Sequence, residues 1–146
     1  MAKRYGSTFS GVLDGTKPAA QANGARGGGK KRTIVEIFDL SSATFANGDT
    51  LSCGKRPQNS YFAGGRITSS VSLGSSQLSI GSAASAAKYR AAAVHTTVDQ
   101  AVNFGKASAI AEAALAADEE VIATIGTADL PAAGTLIIET DYLVSA

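Results

Sequence analysis

The chain has 146 residues, a net charge of +1, 45% apolar residues and a single cysteine. That length makes one ordinary domain with a core of its own, and one cysteine excludes an intrachain disulfide and a cysteine-held zinc. No apolar run approaches the roughly 20 residues of a membrane helix, and the charged N-terminus is followed by no apolar stretch, so a membrane partner and a secretory signal are not expected.

Residues 1–32 read as an extended, flexible N-terminal arm. They hold seven glycines, no isoleucine and no sustained helix or strand period. Lys3, Arg4, Lys17, Arg26, Lys30, Lys31 and Arg32 stand there against Asp14 alone, a local charge of +6, whereas residues 33–146 carry −5. Such a segment buries too little apolar area to offset its ordering entropy unless it lies on another surface. Tyr5, Phe9, Val12 and Leu13 are its apolar anchors. The candidate partner-binding residues are therefore Lys3, Arg4, Tyr5, Phe9, Leu13, Arg26, Lys30, Lys31 and Arg32.

The body, residues 33–146, reads mostly as strands. "TIVEIFDL" from Thr33 is rich in β-branched and aromatic residues. Asn47-Gly48 signals a turn, and a short strand around Leu51 follows. In "RITSSVSL", Ile67, Ser69, Val71 and Leu73 alternate with Thr68, Ser70 and Ser72. Gly74-Ser75-Ser76 then turns the chain into Leu78 and Ile80, which predicts a hairpin between these two runs. "GSAASAAKYRAAAV" and "KASAIAEAALAADEE" have helical propensity but also fit strands flanked by loops, so one short helix at most is expected. "EEVIATIG" and "GTLIIETDYLVS" are the last strands, joined by a loop holding Pro131. The expected core comprises Ile34 or Val35, Phe38, Ile67, Val71, Leu78, Ile80, Val121, Ile125, Leu136 and Ile138. The whole predicts an all-β fold, an antiparallel jelly-roll-like β-sandwich carrying an N-terminal arm.

Catalytic chemistry finds little support. His95 is the only histidine and reads as a surface or loop residue. Cys53 has Lys55 nearby, which lowers a thiol pKa when close, yet a nucleophile needs an oriented base. "GARGGGKKR" fails as a phosphate loop, because no strand precedes it and no Ser or Thr follows the lysine. Asp118, Glu119 and Glu120 read as a solvated loop end rather than an acid/base pair. No enzyme activity and no cofactor are expected. The basic arm admits phosphate neutralisation, but its charge is dilute and its aromatics sparse, so nucleic acid is not the expected partner.

The segments "TIVEIFDLSSATFANGDTLSCG", "GGRITSSVSLGSSQLSIGSAASAAKYRAAAV" and "LAADEEVIATIGTADLPAAGTLIIETDYLVS", spanning about residues 33–145, resemble the small decoration or cement proteins of tailed-bacteriophage capsids. The resemblance implies a structural virion protein made in the host cytoplasm and seated on the capsid surface. It implies the major capsid protein as partner, self-association as a homotrimer, and an arm that reaches a neighbouring subunit. Another phage structural part, such as a head-fibre base or tail protein, and a nucleic-acid-binding protein are the alternatives.

Overall fold

Eight strands and one short helix carry the chain in the computed structural model, which describes residues 26–145. In order they are β1 (Lys30–Asp39), β2 (Thr50–Arg56), β3 (Tyr61–Ser69), β4 (Gln77–Gly81), β5 (Arg90–Val94), β6 (Val102–Phe104), α1 (Ala107–Ile110), β7 (Glu119–Gly126) and β8 (Thr135–Val144). They form two four-stranded sheets, ordered β1-β8-β3-β6 and β2-β7-β4-β5, and every strand pair is antiparallel. The first strand pairs with the last, the second with the seventh, the third with the sixth and the fourth with the fifth. That is the pairing of one long hairpin rolled up on itself, the jelly-roll arrangement.

The expected jelly-roll-like sandwich is thus the observed fold, with local differences. β1 begins at Lys30, three residues before the β-branched run, because its register with β8 continues unbroken from Asp39↔Thr135 to Lys30↔Val144. The hairpin expected between Arg66–Leu73 and Leu78–Ile80 does not form. β3 stops at Ser69, whose hydroxyl donates to the Val71 carbonyl at 2.7 Å and accepts from the Val71 amide at 3.3 Å. A serine bonding its own neighbourhood diverts the backbone from the ladder. The chain then crosses to the other sheet, where β4 pairs with β5 and β7. The first alanine-rich stretch becomes a loop and β5, and the second becomes α1 and a loop.

Ile67, Leu78, Ile80, Val121, Ile125, Leu136 and Ile138 fill the space between the sheets as expected, and Phe38 and Val71 pack against that core. On β1 the inward phase belongs to Ile34, Glu36 and Phe38, and Val35 points outward, 49% exposed. Leu40, Leu51, Cys53, Phe62, Leu73, Tyr89, Phe104, Ala109, Ala123 and Leu130 complete the core.

His95, expected at the surface or in a loop, lies just past β5 and is buried, 2% exposed. Burial, and after it the Arg90 charge, hold its imidazole below the ordinary value. The unfolded chain therefore takes up this proton near pH 6.5 and the folded chain only at lower pH, so stability drains away as pH falls through that window. No other histidine titrates alongside it. The melting temperature is expected to drop between pH 7.5 and 5.5, and to do so less in His95→Leu. A flat wild-type profile over that range would show that the folded chain takes up this proton as readily as the unfolded one.

Candidate interaction surface

Among the described residues the reactive types do not assemble. Cys53 lies on β2 and His95 just beyond β5, the two opposite edges of one sheet. Three strand spacings, about 14 Å, separate such edges. Burial, chiefly, pushes the Cys53 thiol up to about 12, so it holds its proton at neutral pH.

The three consecutive carboxylates take three separate partners. Asp118 accepts from the Gln58 amide at 2.8 Å, and Glu120 accepts from the Ser52 hydroxyl at 2.7 Å. Glu119 turns toward the interior, which corrects its reading as part of a solvated loop end. It accepts from the Tyr89 hydroxyl, pairs with Lys88 at 2.7 Å and lies 3.8 Å from the guanidinium of Arg56. Arg56 is fully buried and donates to the Tyr89 hydroxyl and, at 3.2 Å, to the Ser60 carbonyl. Its guanidinium lies 5.7 Å from the Phe62 ring and 5.4 Å from that of Tyr89. Burial, then the bond to Glu119, push the Tyr89 hydroxyl up to about 12. This cluster fastens the ends of β2 and β7 to the loop before β5.

The other sheet carries the two most exposed large apolar side chains among the described residues. On its outer face β1 presents Lys31, Thr33, Val35, Ile37 and Asp39. Val35 and Ile37 are 49% and 64% exposed, and Ile37 lies across from Ile137 of β8. Next to this apolar strip run two ion pairs, Lys31 with Asp141 at 2.8 Å and Arg66 with Glu139 at 3.0 Å. The Thr33 hydroxyl also donates to Asp141 at 2.6 Å. Burial raises the Asp141 pKa, but the bonds from Lys31 and Thr33 outweigh it and hold the carboxyl below its ordinary value. An open groove of about 430 Å³ lies over these groups, lined among others by Gly64, Arg66 and Asn103.

Of the candidate partner-binding residues, Lys3, Arg4, Tyr5, Phe9 and Leu13 lie outside the described residues. The other four collect at the start of β1. Arg26 is bound to the body: it donates to the carbonyls of Ile110 at 2.6 Å and Glu112 at 2.5 Å, and lies 4.5 Å over the Tyr61 ring. Lys31 is engaged with Asp141. Lys30 and Arg32 are exposed strand residues. Sequence reasoning missed Val35 and Ile37 as surface residues. The signal was present, since "TIVEIF" is apolar on both of its alternating faces and only one face meets a core.

The sequence matches no protein-family model and no curated protein. Solved structures do share the fold. A chain in the capsid of Ralstonia phage GP4 is 14% identical with a TM-score of 0.60, over 82% of this chain and 86% of that one. A chain of the cyanophage Pam1 capsid asymmetric unit is 19% identical with a TM-score of 0.61, over 88% of this chain and 99% of that one. A chain in the acidic stable capsid structure of Helicobacter pylori bacteriophage KHP30 is 10% identical with a TM-score of 0.57, over 80% and 89%.

Proposed function

We propose that this chain is a structural virion protein that binds the outer surface of a phage capsid and cements neighbouring major capsid subunits, with the part of the N-terminal arm that precedes Arg26 reaching an adjacent subunit, since Arg26 and Lys30–Arg32 are held by the body. One observation carries the reading: a chain of a phage capsid asymmetric unit aligns with this one over 99% of its own length. A sandwich of about this size is thus a whole capsid chain there and not a fragment of a larger one. The separation of Cys53 from His95 fits a role without catalysis. Binding of nucleic acid by the basic arm is less favoured, because Lys31 and Arg26 are both engaged within the body. The homotrimer implied by the resemblance belongs to this proposal as a trimer-like cluster formed on the shell, distinct from the state of the free chain.

Purified particles test it. Copy numbers near that of the shell subunit support cementing, whereas a few copies per particle select a fibre base or tail part. Salt-sensitive DNA binding by the isolated chain would overturn it.

The arm has its own test. Ordering a residue costs roughly 1–2 kcal/mol of backbone entropy, and exposed ion pairs return only about 0–1 kcal/mol each. Tyr5, Phe9 and Leu13 must then supply attachment, at about 1.5–3 kcal/mol for each fully buried side chain. Deleting residues 1–25 is expected to leave the melting temperature within a few degrees of the parent's. Binding to shells that lack the protein should weaken on the order of a hundredfold, about 2.7 kcal/mol. Replacing Lys30 and Arg32 with Ala should weaken it less, and mainly at low salt. A truncated chain that decorates shells as tightly as the full one removes the arm from the mechanism.

A further inference from the structure

Four strands border the two sheets: β1 and β6 in one, β2 and β5 in the other. A bare edge invites pairing with another chain, and proteins blunt such edges by shortening or bulging them. Three of the four are blunted in this way. β6 has three residues. β5 has five, and its register with β4 breaks between Leu78 and Ile80. β2 is interrupted between Ser52 and Lys55, where Gly54 takes a φ of +92° and a bulge results. β1 is the exception among the described strands. It is ten residues long, in unbroken register with β8, and free of glycine and proline.

The register fixes which backbone groups face outward. The Leu40 amide donates to the Gly134 carbonyl at 2.9 Å, one step beyond Asp39↔Thr135. In an antiparallel pair the hydrogen-bonded residues alternate, so Lys30, Arg32, Ile34, Glu36 and Phe38 bond toward β8. The N–H and C=O groups of Lys31, Thr33, Val35 and Ile37 point to the open edge, as does the Asp39 N–H, while the Asp39 carbonyl accepts from the Ser42 amide at 3.1 Å and the Ser42 hydroxyl at 2.7 Å. These five residues are symmetric about Val35.

We propose that two copies of this chain join through β1, antiparallel, about a two-fold axis at Val35. Lys31 then faces Asp39 of the second copy, Thr33 faces Ile37, and Val35 faces Val35. All five outward residues are used: the three central pairs exchange two hydrogen bonds each, and each Lys31–Asp39 pair forms one, from the Asp39 N–H to the Lys31 carbonyl, because Ser42 holds the Asp39 carbonyl. A shift by two residues in one direction leaves Lys31 unpaired and sets Glu36 opposite Glu36, and in the other it leaves the Asp39 N–H unpaired and takes Lys31 away from Asp39. The charge pattern selects the same arrangement. β1 opens with Lys30, Lys31 and Arg32 and closes with Glu36 and Asp39, so antiparallel copies bring opposite charges together and parallel copies bring like charges. On the outer face the strips of Val35, Ile37 and Ile137 from the two copies become continuous. The two four-stranded sheets become one of eight. The inference rests on this edge alone and not on the virion reading.

The full chain is expected to sediment as a dimer at micromolar concentration, with slowed amide exchange at Thr33, Val35 and Ile37. Val35→Pro removes only an N–H that points away from β8, a position where an edge strand tolerates proline. It should give a folded monomer, with exchange at Thr33 and Ile37 at least a hundredfold faster. Asp39→Lys, at an exposed site, serves if the proline variant fails to fold. It sets like charges opposite each other and should weaken the dimer at least tenfold. A monomeric wild type overturns the proposal, including one whose β1 amides lose protection on deleting residues 1–25. So does a trimer whose β1 amides exchange freely, or a dimer indifferent to both substitutions.

Discussion

Leu78→Asp is expected to leave the chain unfolded at room temperature. β4 lies between β7 and β5, and Leu78 sits opposite Ile125 on one side and Ala93 on the other. Its side chain is fully buried, as is that of Ile80. Truncating such a leucine costs about 2–5 kcal/mol through lost transfer energy and the cavity left behind. Aspartate adds a carboxylate among the apolar side chains between the sheets, where it must be buried charged or forced to take a proton, at a further several kcal/mol. Domains of this kind hold together by only about 5–15 kcal/mol, so the two costs together consume the margin. Ile80→Asp should behave alike. Val35→Asp, on the outer face, should leave a folded protein. Circular dichroism and amide dispersion read all three. A Leu78→Asp protein that melts like the parent would mean that Leu78 does not point between the sheets.

What was legible in the sequence follows from what alternation can encode. In Ile67, Leu78, Ile80, Val121, Ile125, Leu136 and Ile138 the period of two marks one buried face directly, and all seven are core residues. Alternation says nothing about which strand sits beside which. Arg66–Leu73 and Gln77–Ile80 are neighbours in sequence and look like a hairpin, but this roll-up sends β3 and β4 to opposite sheets and keeps the hairpin for β4 and β5. β1 defeats the same logic in another way: Ile34 and Phe38 lie on one phase, Val35 and Ile37 on the other, and only packing decides which faces inward. The charged cluster was invisible for a different reason. Arg56, Lys88, Tyr89, Glu112 and Glu119 are scattered over more than sixty positions, and no local pattern announces that a roll-up will bring them together. Basic residues near the start of β1 were legible as a charge run, but their partners were not, since Lys31 meets Asp141 from the far end of the chain.

That cluster makes its own large effect, and the effect is asymmetric. The Arg56 side chain is 1% exposed and that of Glu119 is 20%. Removing one partner of a buried ion pair costs about 3–5 kcal/mol when the survivor stays buried without its counter-charge. Glu119→Ala does this to Arg56, which keeps only the Tyr89 hydroxyl, the Ser60 carbonyl and two aromatic faces. Arg56→Met does less harm. Glu119 keeps Lys88 at 2.7 Å and some contact with water, and the methionine fills much of the space of the arginine stem. Glu119→Ala should therefore lower stability in urea by about 3–5 kcal/mol, and Arg56→Met by clearly less. The double variant Arg56→Met/Glu119→Gln should recover most of the loss, because no unpaired buried charge remains and the two sites couple. If Glu119→Ala proves the milder single change, the guanidinium is compensated without the carboxylate, and the Phe62 and Tyr89 faces become the groups that hold it.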